Sequence, residues 1–118
     1  MSTHSTITMK HADGTYTQVY CHYDGYMSRV GRILMEHYQN PAKIEALVNL
    51  GDLSSLAPEL ADCVAYHRDR GEIMYKLRFR DALDFDQSKT REEYNYLWTT
   101  ETGWTCEDDD GTFLRMTA

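Results

Sequence analysis

No apolar run in the 118 residues is long enough to cross a bilayer as a helix, and the opening MSTHSTITMK lacks the charged-then-apolar pattern of a secretory signal. These absences predict a soluble cytosolic protein without membrane contact. Cysteine is scarce and odd in number. Cys21, Cys63 and Cys106 stand far apart, which fits reduced thiols better than a disulfide framework, and no Cys-x-x-Cys spacing suggests a structural zinc. Repeats and low-complexity linkers are missing too, so residues 1–118 are expected to form one domain. There is no Gly-x-Ser-x-Gly, Walker loop, His-Glu-x-x-His or dinucleotide fingerprint. The balance therefore leans away from an enzyme, and no cofactor is expected.

Positive charge is the minority sign: 12 Lys and Arg against 19 Asp and Glu give a formal net charge of −7. It is unevenly spread, with −3 over residues 1–66, +2 over 67–91 and −6 over 92–118. An acidic chain repels bulk nucleic acid, while a local basic patch can still hold an anion.

What is present reads most clearly as punctuation. STITMKHADGTYTQVYCH alternates on both sides of Asp13-Gly14, a pair that tolerates the positive φ of a tight hairpin turn. In SRVGRILMEHYQ, Val30, Ile33, Leu34 and Tyr38 recur at helical spacing behind Ser28 as a possible N-cap. NPAKIEALVNLGD carries a cap at Asn40, proline in the first turn at Pro41, an Ile44/Leu47/Val48 stripe and a terminating Gly51. DLSSLAPELAD reads as a loop with at most a short helical turn. CVAYH and EIMYKLRFR flank RDRG, and the strict alternation of Ile73, Tyr75, Leu77 and Phe79 with Met74, Lys76, Arg78 and Arg80 predicts a half-buried strand in a second hairpin. After a mixed segment, DALDFDQSKTRE, the runs EYNYLWTT, GWTCED and GTFLRM predict a C-terminal meander. The expected fold is α+β: a single antiparallel β-sheet, built from hairpins and this meander, packed against two consecutive helices.

Four constellations carry possible chemistry. His22, Asp24 and the neighbouring Tyr26 lie where a strand gives way to a helix. They form either a turn, with the Asp24 carboxylate accepting backbone N–H groups, or an acid/base or ligand pair at a helix N-terminus. Adjacent residues on a strand face opposite ways, so Cys21 and His22 are disfavoured as a nucleophilic pair, and the His22 ring should point away from Cys21. His67, Arg68, Asp69 and Arg70 form a polar knot at the expected second hairpin tip, able to bind phosphate or a divalent cation if it lies beside Asp24. Lys76, Arg78 and Arg80, with Tyr16 and Tyr20 nearby, resemble a phosphate-tracking and stacking surface, although the net charge argues against direct nucleic-acid binding. Finally, Glu107, Asp108, Asp109 and Asp110 make an acidic turn beside the aromatics Tyr94, Tyr96 and Trp98, a combination that suits a protein-binding surface.

Taken in order, MSTHSTI, DGTYTQVYCHYDGY, LMEHYQNPAKIEALVNLGDLSSL, VAYHRDRGE and EYNYLW resemble small, mostly uncharacterised proteins encoded by tailed phages and prophages. The chain departs from that pattern at Tyr23, where Trp is expected, at Met27-Ser28, where Pro and an acid are usual, and in its acidic C-terminal turn. The resemblance implies a phage setting but no reaction, cofactor or catalytic set. In that setting the expected partner is a host protein or defence complex, bound stoichiometrically in the host cytosol for takeover or counter-defence. The acidic turn would then serve as an epitope or a partial mimic of nucleic-acid charge. The alternative is a small anion or nucleotide binder, or a weak metal-dependent hydrolase, using His22, Asp24, His67, Arg68 and Asp69.

Overall fold

The hairpin at Asp13-Gly14 forms as the alternation predicts. In a computed structural model that describes residues 2–116, β1 (Ser5–Lys10) pairs antiparallel with β2 (Tyr16–Cys21), and Gly14 takes φ +88° in the turn. Residues 1, 117 and 118 of the expected single domain lie outside the described residues. Past β2 the chain makes a wide turn, Met27–Gly31, and runs into α1 (Arg32–His37). Ser28 sits inside that turn rather than capping it, and Tyr26 at its start makes no side-chain cap.

The second helix, α2 (Pro41–Asn49), follows its sequence signals closely. The Asn40 side chain accepts the Ala42 N–H at 2.8 Å, Pro41 opens the first turn, and Ile44, Leu47 and Val48 are fully buried. Each such side chain removed from water contributes about 1.5–3 kcal/mol. These residues pack with Ile7, Val19, Leu34, Tyr38 and Tyr96 into the main core, on one face of the sheet.

The sheet itself corrects the antiparallel expectation. Besides β1 and β2 it contains β3 (Leu53–Ser55), β4 (Val64–Ala65), β5 (Leu77–Phe79), β6 (Tyr94–Thr99), β7 (Gly103–Glu107) and β8 (Phe113–Arg115). The order is β4-β3-β2-β1-β6-β7-β8, with β5 also paired to β2. β1 runs parallel to β6, from Ser5 opposite Tyr94 to Met9 opposite Trp98, and β2 runs parallel to β3 at Cys21 and Leu53. The sheet is therefore mixed, and the described residues form four α-helices rather than two. Period-two alternation says which face of a strand is buried and is silent on the direction of a neighbour supplied from far along the chain. The meander β6-β7-β8 is antiparallel, as its turns predict.

The second hairpin is replaced by something else. Tyr66–Arg70 coils into a short helix, α3, closed by Gly71 at φ +68°, and only Leu77–Phe79 pairs with β2. Downstream, the mixed segment forms α4 (Ala82–Ser88), with the Asp81 carboxylate accepting the Asp84 N–H at 2.8 Å. Phe85 of α4 stacks on Tyr16 and meets Phe79 edge-on, making a small second core on the other face of the sheet. That core covers Phe79 alone of the alternating set. Ile73, Tyr75 and Leu77 stay 77%, 66% and 41% exposed, the reverse of what the alternation predicts.

Candidate functional site

The outer edge of β2 is shared between two partners that do not meet. β5 pairs with it from Tyr16 to Gln18 and β3 only at Cys21, which leaves a gap at Val19 and Tyr20. Asp52 fills it: Oδ1 accepts the Tyr20 N–H at 2.9 Å, standing in for a missing strand. The Asp52 backbone ties in two further segments, since its N–H donates to the Tyr75 carbonyl at 2.8 Å and its own carbonyl accepts the Tyr66 N–H at 3.2 Å. Gly51 permits this approach. It closes α2 at φ +80°, and a Cβ there would stand 2.9 Å from the Tyr75 carbonyl oxygen, too close for any side chain.

Two cavities open over this gap, of about 460 and 320 Å³, and Asp52 and Tyr75 line both. Together they form a groove lined by the tyrosines 20, 66 and 75 and the acidic residues Asp52, Glu72 and Glu92. Its bases are His67, whose Nδ1 lies 2.8 Å from the Glu72 carbonyl oxygen, and Lys76, whose Nζ donates to Asn49 Oδ1 at 3.3 Å. Burial pushes the Asp52 carboxyl above its usual range, and the Tyr20 N–H offsets only part of that effect. Among the described residues Asp52 has no ion-pair partner, and its hydrogen bond to Tyr20 uses Oδ1 alone.

Tyr20 also links the groove to His22. Its hydroxyl lies 2.7 Å from His22 Nδ1 and 2.9 Å from His4 Nδ1, and His4 Nδ1 lies 2.9 Å from the His22 carbonyl oxygen. These contacts are compatible when His4 Nδ1–H donates to that carbonyl, shared with the Tyr20 oxygen, and the Tyr20 hydroxyl donates to His22 Nδ1. The His22 ring thus lies with Tyr20, while Cys21 is buried in the main core, as strand alternation predicts.

The remaining predicted site residues serve mainly structural contacts. Asp24 adopts φ +57°, its carbonyl accepts the Val30 N–H, and its carboxylate makes only a loose 3.7 Å pair with Arg29. The turn hydrogen bonds expected of that carboxylate are not among the bonds made. Tyr26 is half-buried, and its carbonyl accepts the Arg29 N–H. Arg68 is held internally: Nη1 donates to the Leu60 carbonyl at 3.0 Å, Nη2 to the Cys63 carbonyl at 2.6 Å, and Nε to Asp69 at 3.0 Å. Asp69 in turn accepts the Ala65 N–H at 2.7 Å, and the Arg68 guanidinium holds its carboxyl below the usual range. Arg70 lies over the Tyr66 ring, 5.2 Å from its centre.

The two polar clusters are drawn near each other by β3 without touching. Tyr23 donates its N–H to the Ser54 carbonyl, and Arg70 reaches Ser54 Oγ at 3.5 Å, but no hydrogen bond or ion pair joins His22 or Asp24 to residues 67–70 among the described residues. No group of three or more His, Cys, Asp or Glu side chains able to hold a metal occurs among them either.

At the C-terminal turn Glu107 points inward. Its side chain is only 1% exposed, with Oε1 accepting Arg91 Nε at 2.6 Å, so it does not belong to an acidic surface. Asp108 accepts the N–H groups of Asp110 and Thr112 and holds its own turn, which leaves Asp109 and Asp110 as the freely exposed acids. Tyr96 and Trp98 are core residues, and Tyr94 packs against that core. Tyr16 is buried on Phe85, so it cannot stack on a base beside Lys76, Arg78 and Arg80.

No sequence motif marks Asp52 or Glu92 as a site residue, and Tyr75 enters only as a member of the alternating strand; the hint for Asp52 is its place after the helix-ending Gly51. No family model, curated protein or solved structure matches this chain. No described helix is long and apolar enough to cross a membrane.

Proposed function

We propose that the protein acts stoichiometrically by binding another protein, and that in a phage setting this partner is a host protein or defence complex met in the host cytosol. The observation that carries the reading is the apolar strip Ile73, Tyr75 and Leu77, which faces solvent along a groove instead of entering either core. Large apolar side chains gathered in this way are the usual anchors of a protein interface. The strip replaces the acidic turn as the preferred contact face, because Glu107 is withdrawn and Asp108 is engaged in its own loop. Arg68 and Asp69 are committed to internal bonds, which removes the main support for an anion site or hydrolase there.

Affinity purification from host lysate at low salt tests the reading, with Ile73→Asp and Leu77→Asp compared with Asp109→Asn combined with Asp110→Asn. The expected outcome is a reproducible partner lost with the strip variants and kept with the acidic-turn variant. Capture that survives both strip variants, in folded protein, would sink the reading.

A further inference from the structure

The groove over Asp52 has a composition that selects its occupant. Its lining brings together three tyrosines and three acidic residues. Tyrosine faces attract cations and carboxylates pair with them, whereas an anion is disfavoured by both. The groove's one lysine, Lys76, donates to Asn49 and leaves the lining net acidic against three acidic residues, and the His67 ring lies against the Glu72 backbone. One wall already shows the interaction in miniature, with the Arg70 guanidinium over the Tyr66 ring. On the floor, Asp52 is half withdrawn from water without a cationic partner, and its Oδ2 is left over once Oδ1 has accepted the Tyr20 N–H.

We infer that this groove receives the cationic side chain, lysine or arginine, of an extended segment of the partner protein, with Asp52 as its counter-ion and Tyr66 and Tyr75 as its walls. The inference rests on the protein-binding reading and names what the groove recognises. An extended segment suits the shape, because two cavities meet at Asp52 and Tyr75 while Ile73 and Leu77 offer apolar contact on either side. In a strand-like segment alternate side chains point the same way, so a basic residue can enter the groove while its second neighbours rest on the strip. Burial strengthens the pairing, since a charge already withdrawn from water gains more from an arriving partner than an exposed one does.

The test uses the full-length protein, immobilised, and a nonapeptide library with randomised flanks whose central residue is lysine, arginine, norleucine or glutamate. Retained peptides are quantified by mass spectrometry at about physiological ionic strength, where long-range attraction by the net negative charge is screened. The expected result is retention of the lysine or arginine peptides at least about tenfold above the norleucine peptides. With Asp52→Asn that preference should collapse, while the residual binding of norleucine peptides stays as in wild type. Asn can still accept the Tyr20 N–H, so a thermal melt matching or exceeding wild type verifies the fold of the variant.

Equal retention of lysine and norleucine peptides, an undiminished preference in Asp52→Asn, or no retention of any peptide would overturn the inference. Failure of the broader reading looks different. There the cationic preference persists and depends on Asp52, while lysate capture ignores Ile73→Asp and Leu77→Asp.

Discussion

Asp52 Oδ1 accepts the Tyr20 N–H at 2.9 Å in the gap on the outer edge of β2 that neither β5 nor β3 reaches, so a carboxylate does the work of a strand. Hydrogen bonding and charge can be separated there by substitution. Asp52→Asn keeps the acceptor and removes the half-buried charge, whereas Asp52→Ala removes both. Ala should therefore fall below Asn by about 1–3 kcal/mol, the cost of a backbone N–H left unpaired.

The same pair sets a pH dependence. The folded carboxyl titrates above its ordinary value of 3.8 because burial disfavours the charged form. Its contribution to stability is thus full below 3.8 and is lost as pH rises through the folded value. Asp52→Asn should match wild type in acid below 3.8 and exceed it at neutral pH. Denaturant midpoints measured across that window check this, and a variant less stable than wild type at neutral pH would contradict it.

How far the sequence alone could reach follows from the range of each interaction. α2 was fully legible because its signals are local: Asn40, Pro41, the Ile44/Leu47/Val48 stripe and Gly51 all lie within its own boundaries. The β1–β2 hairpin and the C-terminal meander were legible for the same reason. The parallel pairing of β1 with β6 was not, since nothing near Ser5 indicates Tyr94. HRDR combines turn chemistry with helix chemistry, and the helix prevails because Arg68 and Asp69 find acceptors and donors in the Leu60–Ala65 segment. Ile73 and Tyr75 stay exposed against the expectation of a half-buried strand, because alternation cannot tell whether a second layer is long enough to cover a face. The groove stayed hidden because its parts come from five separate segments and meet only at Asp52 and Tyr75.

Arg68 is predicted to be a clasp rather than a ligand-binding group. It ties α3 to the carbonyls of Leu60 and Cys63 and to the carboxylate of Asp69. Arg68→Ala should lower stability by about 1 kcal/mol, since these charge-assisted bonds lie near the surface, where water replaces part of the loss. Lysine should fail to restore it, because one ammonium cannot span the positions that the planar guanidinium bridges. Asp69, held below 3.8 first by Arg68 and then by the Ala65 N–H, adds stability that is present above 3.8 and lost as pH falls through its folded value. Asp69→Asn should therefore flatten the acid limb of the stability profile. An Arg68→Lys variant as stable as wild type would refute the clasp.

Asp24 makes the sharpest test of what the CHYDGY stretch does. Its backbone holds φ +57°, a conformation costly to residues with a Cβ and tolerated best by glycine, asparagine and aspartate. Its carboxylate reaches only Arg29, at 3.7 Å on the surface, and accepts no backbone N–H. The residue is thus present for its backbone and not for its charge. Asp24→Ala should destabilise by about 1 kcal/mol through left-handed strain. Asp24→Gly removes the same carboxylate and relieves the strain, so it should stay within about 0.5 kcal/mol of wild type, its extra unfolded-state entropy offsetting part of the gain. Neither change should affect partner capture, because Asp24 lies outside the groove and the apolar strip. Chemical denaturation of the two variants decides the matter. If alanine and glycine are equally destabilising, the carboxylate itself is the stabilising element, and if both fold normally yet lose the partner, CHYDGY is the contact site in place of the groove.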